Sequence, residues 1–229
     1  MVRVGSARIN EKGTVNGGNP GDQTGKECSI QNWYLHSKGW IVLRAKNPAH
    51  REAIAHNMES ICGNNRIGYC QNHRTSLTNA AKPYGYDASK VKVKCETDCS
   101  EAVRNCCLYA GIKVNTFNTA SERSVLLSTG KFEVLIDTPT TTSSDYLMRG
   151  DILVTRSKGH TVVVLDNGSE ITSDPAKNPT THTVKSGETL TKIAAKYGTT
   201  AAKIVSDNIG KYPRMTKNYI QVGWKLKII

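Results

Sequence analysis

The chemistry of this 229-residue chain is most legible in the run ETDCSEAVRNCCLYAG, residues 96–111. Asp98 is a good helix N-cap, and Glu101 stands three residues later as its capping-box partner. Gly111 fits a C′ stop. Cys99 therefore falls on the first turn of a helix. Aligned N–H groups and the helix dipole there favour a thiolate, the form that attacks a carbonyl carbon. Neighbouring N–H groups would stabilise the oxyanion that develops. Cys106 and Cys107 lie in the last turns of the same helix, where the dipole disfavours an anion, and read as packing. A nucleophilic cysteine needs a base. His160 fits, in KGHTVVVL, where a loop meets a β-prone run.

A third group would orient the histidine. Asp166 shares a strand with His160, and six strand residues span about 20 Å, so it is too far. A two-residue turn at Asn167-Gly168 pairs Leu165 with Glu170 and Thr161 with Asp174. Asp174 then returns close to His160, on the same face if the strand carries a one-residue bulge. A backbone carbonyl or Asn178 is the alternative.

These groups need elements to hold them. Residues 47–62 carry Ala49, Ala53, Ile54, Met58 and Ile61 at helical spacing. Residues 74–82 and 116–129 are further helical segments. Residues 132–136, 151–155 and 160–165 read as strands, with a tight Gly-Asp entry in RGDILV, residues 149–154. Residues 1–27, rich in Gly and Asn, read as loop or at most a short hairpin. Helices first and an antiparallel sheet second make an α+β pattern. SDPAKNPTT, residues 173–181, reads as a linker. After it comes strand, helix, helix, strand. The expected division is 1–172, 173–181 and 182–229.

Composition narrows the partners. Hydrophobic residues make up 38% and charged residues 22%, ordinary globular values. No stretch approaches the roughly 18 apolar residues that span a bilayer, and MVRVGSARINEKG has no apolar core of a signal peptide. The formal net charge is +12, and from Thr181 onward nine Lys/Arg face two Asp/Glu. A basic tail of that kind wants a polyanionic surface, nucleic acid or an anionic cell wall. The seven cysteines are an odd number with no secretory signal, which argues against a disulfide framework. The spacings Cys95-x3-Cys99 and Cys62-x7-Cys70 do not match paired zinc knuckles. A zinc site using Cys70 with His36, His50, His56 and His73 finds no support in their spacing. No metal and no cofactor are expected.

The order DCS, then RGDILV, then GHTVVV resembles the NlpC-type and CHAP peptidases, which are papain-like. The resemblance covers roughly residues 95–172, and from GDQTGKE onward the chain also resembles amidohydrolase domains of phage endolysins. It implies a papain-like N-terminal domain in which Cys99 attacks an amide and His160 is its base. It implies substrate contacts for Asp98, beside the nucleophile, and substrate contacts or an oxyanion donor for Asp22 and Gln23. The sequence departs from the usual DCSG by carrying Glu101 where glycine is common.

Residues 182–229, with HTVKSGETL, KYGTT and YIQVGWKLKII, resemble a LysM domain, a small βααβ unit. Ile193, Ala194, Tyr197, Ile204 and Val205 give its packing face. The resemblance implies a glycan groove in which Gly187, Glu188, Thr189 and Leu190 face Ile209, Gly210, Tyr219 and Ile220. Together the two resemblances imply a peptidoglycan hydrolase of endolysin type, anchored to wall glycan. Its partners would be bacterial peptidoglycan and anionic wall polymers, with neither nucleic acid nor membrane. It would be a monomer made in the host cytoplasm and acting on the wall after release. The scissile bond stays open between a D-glutamyl–diamino acid bond and the muramoyl-L-alanine amide. The alternative is a non-catalytic wall-binding protein with a degenerate peptidase domain.

Overall fold

The computed structural model describes residues 1–136, 139–171 and 180–228. In chain order the elements are β1 (Arg3–Ala7), β2 (Cys28–Asn32), β3 (Trp40–Ala45), α1 (Pro48–Gly63), β4 (Ile67–Tyr69), α2 (Ser76–Ala81), β5 (Cys95–Thr97), α3 (Cys99–Tyr109), α4 (Glu122–Ser128), β6 (Phe132–Leu135), β7 (Ile152–Thr155) and β8 (Thr161–Val164). The tail adds β9 (Thr180–Thr183), α5 (Leu190–Lys196), α6 (Ala201–Asn208) and β10 (Lys225–Ile228). The architecture is α+β.

The main sheet has six strands in the order β2-β1-β8-β7-β3-β6, every neighbouring pair antiparallel. Both of its faces are covered, and the strands alternate between two cores with the period of two that a pleat imposes. Leu43, Ile152, Val154 and Val163 face the core that includes Ile54, Met58 and Ile61 of α1 and Ala102, Val103 and Cys106 of α3. Val42, Leu153, Val162 and Val164 face a second core with Trp40 and Leu147. Helix α1 starts where Asn47 accepts from the Ala49 N–H and Pro48 takes the first turn.

The RGDILV entry is a structural knot. Asp151 and Arg44 of β3 are both fully buried and joined by hydrogen bonds of 2.7 and 2.6 Å. Gly150 has φ +87°, and a Cβ there would lie 2.1 Å from the Arg51 carbonyl oxygen of α1. Arg149 reaches Glu52, Glu59 and the Leu165 carbonyl.

Three sequence expectations are corrected here. Residues 1–27 are more than a loop: β1 lies inside the sheet between β2 and β8. Helices do not precede the sheet, because β1, β2 and β3 come before α1. The hairpin at Asn167-Gly168 does not form. β8 has both edges occupied, by β1 and β7, so no returning strand can pair with it. The chain instead packs on residues 144–147, where the Gly168 N–H donates to the Leu147 carbonyl and the Glu170 N–H to the Asp145 carbonyl. Asp166 pairs with Arg3 at 2.8 Å.

In the tail, β9 and β10 pair antiparallel beneath α5 and α6. Thr189 and Thr200 cap the two helices, and Ile193, Ala194, Tyr197 and Ile204 are buried with Leu226 and Ile228, while Val205 packs at the edge. Among the described residues no helix is long and apolar enough to cross a membrane.

Candidate functional site

Strand β5 delivers Asp98 to the start of α3. Its Oδ1 accepts from the Glu101 N–H at 2.7 Å and the Ser100 hydroxyl at 3.0 Å, and its Oδ2 lies 3.1 Å from Arg74 Nε. Cys99 is the first helical residue and is 7% exposed. The backbone N–H groups of Ser100 and Thr161 act on its sulfur in favour of the charged form. These donors do not make it a thiolate. Burial pushes the thiol up to about 12, helped by the nearby Asp98 and Glu122, and outweighs the donors. The sequence expectation of a helix-stabilised thiolate is corrected: the resting thiol carries its proton. Cys106 and Cys107 are fully buried packing residues, as expected, and all seven cysteines are free.

His160 closes the turn joining β7 to β8, directly before the first residue of β8. Thr155 locks it there: the Thr155 N–H donates to the His160 carbonyl at 3.0 Å, and the His160 N–H donates to Thr155 Oγ1 at 3.0 Å. Its Nε2 meets Ser6 Oγ of β1 at 3.2 Å. Burial lowers the imidazole to about 4, with Arg8 and His36 adding to the effect. His160 is therefore neutral at neutral pH. Thr161, the residue after His160, links Cys99 and His160 through its backbone N–H, which favours the charged form of Cys99. No hydrogen bond joins the two side chains themselves. Asp174 and Asn178 lie outside the described residues.

Two residues beside this pair escaped the sequence. Glu122 opens α4, is fully buried, and accepts from the Thr161 hydroxyl at 2.7 Å. Burial raises its carboxyl to about 8, so it holds its proton at neutral pH. One signal was present: an acid four residues before Leu126, at a core position of the helix. Arg8 follows β1, and its Nε and Nη2 are buried without a hydrogen-bond partner. Burial lowers its pKa, while Tyr34 and Cys62 act the other way. No motif marked it.

Other expected site residues build the frame. Asp22 accepts from the N–H groups of Thr24, Gly25 and Lys26 through Oδ1 and of Glu27 and Cys28 through Oδ2. Gln23 bonds the Pro20 and Gly21 carbonyls. Both side chains are thus engaged in folding their own loop. Glu101, the departure from DCSG, is fully buried, and its carboxylate is held by Arg104, Thr78 and Thr116 instead of closing the expected capping box on Asp98.

In the tail, Glu188, Thr189, Leu190, Thr191 and Lys192 face Lys217, Asn218 and Ile220 across an open groove of about 690 Å³, with Pro139 at its edge. Glu188, Thr189, Leu190 and Ile220 of the expected glycan residues line it. Gly187, Ile209, Gly210 and Tyr219 do not. The Glu188 carboxylate is held by His182 Nε2 at 2.8 Å and the Lys185 N–H at 2.7 Å, which fixes the first turn.

A family model described as an endolysin-like domain matches residues 4–171, and one for the LysM domain matches residues 182–228. Neither is an NlpC or CHAP model. No curated protein and no solved structure matches the chain.

Proposed function

The chain belongs to the endolysin-like domain family, and on that premise we propose that it hydrolyses an amide bond of the peptidoglycan stem peptide with Cys99 as nucleophile and His160 as base. A LysM domain beside an endolysin-like domain makes it a cell-wall-associated lytic protein with a glycan-binding module. The observation that carries the finer reading is Thr161: it follows the histidine, its hydroxyl donates to the buried Glu122 at 2.7 Å, and its backbone N–H favours the charged form of Cys99 at the start of α3.

His160 takes the thiol proton, the sulfur adds to the carbonyl carbon, and the Ser100 and Thr161 N–H groups face the developing oxyanion. The imidazolium returns its proton to the leaving amine, and water hydrolyses the thioester. The resting site is switched off, with a neutral thiol and a neutral imidazole engaged with Ser6. Arg8 is one of the charges that depress His160. A stem-peptide carboxylate pairing with the unpartnered Arg8 would cancel that charge and raise the basicity of His160, tying catalysis to a carboxylate-bearing substrate. The groove at Glu188–Lys192 takes wall glycan, and the basic tail is drawn to anionic wall polymers. The protein acts as a monomer on the wall outside the membrane.

A second reading is a wall-binding protein whose first domain no longer cuts. The missing hydrogen bond between Cys99 and His160 favours it. Digesting purified sacculi separates the two: new amino groups without new reducing ends support the amidohydrolase, and fragment masses then identify the bond. New reducing ends would mean a glycosidase, and no products with protein still bound would establish the second reading.

A further inference from the structure

We propose that Cys70, His73 and Glu96 form a binding site for a zinc-class divalent cation. The three offer a sulfur, an imidazole nitrogen and a carboxylate oxygen that all lie within 4.8 Å of one another. His73 Nδ1 already meets Glu96 Oε2 at 2.9 Å. The second carboxylate oxygen, Glu96 Oε1, is buried and accepts no hydrogen bond, on a residue only 3% exposed. An acceptor left dry and unpartnered is costly, and a cation at this position removes the cost. The polar partner of Cys70 Sγ is Asn16 Oδ1, at a long 3.8 Å.

The donor set selects the metal class. Sulfur with imidazole and one carboxylate suits zinc and its neighbours, whereas calcium and magnesium want oxygen. Zinc bonds of about 2.0–2.3 Å place donors of a tetrahedral site somewhat over 3 Å apart. The observed cluster, with donors within 4.8 Å of one another, has to tighten to reach that spacing, and His73, whose side chain is 68% exposed, has solvent room to move. The backbone beneath is already fixed. The Cys70 N–H donates to Thr97 at 3.0 Å, the Ser76 hydroxyl donates to the Glu96 carbonyl at 2.9 Å, and Ser76 Oγ accepts the Glu96 N–H at 2.7 Å. Three protein ligands leave a fourth position on the solvent side, for water. The cation would clamp the segment 70–76 to β5, the strand that runs into Asp98 and Cys99. Cysteine-knuckle spacing does not mark this site, because its third ligand is remote from the Cys70-x2-His73 pair.

The test uses the full chain, titrated with zinc by calorimetry and with cobalt by absorption. One equivalent should bind, and cobalt should give a sulfur-to-metal charge-transfer band. Cys70→Ser should abolish the band. His73→Ala, at an exposed position that leaves the fold intact, should weaken binding by at least about tenfold, the least that loss of even an outer-shell partner costs. Cys99→Ala should change neither. Failure of the wild-type chain to bind either metal, or binding that survives both Cys70→Ser and His73→Ala, would overturn the proposal. Activity is not the readout, so the outcome is independent of the amidohydrolase reading.

Discussion

The Thr161 hydroxyl donates to the Glu122 carboxyl at 2.7 Å, inside the domain and one residue after His160. Thr161 therefore ties together the cysteine, the histidine and a buried acid. Burial moves that acid from its ordinary 4.5 to about 8. The folded state holds this proton more tightly than the unfolded chain. Glu122 thus makes stability fall as pH rises from about 4.5 through about 8, by up to about 1.4 kcal/mol per pH unit. Glu122→Gln, neutral at every pH, should flatten that slope. Urea denaturation across this pH range checks it; an unchanged slope would mean that Glu122 titrates normally.

The buried Arg44–Asp151 pair anchors the strand that leads to His160. Asp151→Asn keeps the shape but leaves Arg44 charged without its counter-ion. Breaking a buried pair from one side costs about 3–5 kcal/mol. Chemical denaturation should show a loss of that size, whereas a loss below about 1 kcal/mol, the range of surface pairs, would deny the pair its anchoring role.

Much of this frame was legible and the remainder was not, for physical reasons. The capped start of α3 and the β-prone run after His160 are local signals, and both stand where the sequence placed them. The tail was legible because turn residues and helix caps repeat a compact pattern. The Asn167-Gly168 turn misled because a turn signal is local, whereas the edge of β8 away from β7 was taken by β1, more than 150 residues earlier. β1 itself hid in a segment whose glycines read as loop. The charge state of Cys99 failed for a similar reason: capping is visible in sequence, but the burial that overrides it comes from distant elements.

Arg8 gives a kinetic prediction. Arg8→Ala should raise KM for carboxylate-bearing muropeptides, and Arg8→Lys should restore part of the loss. Losing this charge also removes one of the influences that hold His160 near 4. The acid limb of the pH–rate profile should therefore move to higher pH in Arg8→Ala. An unmoved limb with unchanged KM would separate Arg8 from the site.

The LysM groove predicts a separable binding step. Lys217 is an exposed residue of its wall. Lys217→Glu should weaken binding to sacculi that carry anionic polymers more than to sacculi stripped of them, and the difference should shrink with salt. Equal loss on both would place Lys217 in glycan contact instead.

The central claim is that Cys99 is the nucleophile, and its most direct test is amine release from sacculi by Cys99→Ala at matched amounts of wall-bound protein. The account predicts release at background with binding unchanged. Release at the wild-type rate would contradict it, and the chemistry would then have to be sought elsewhere in the domain.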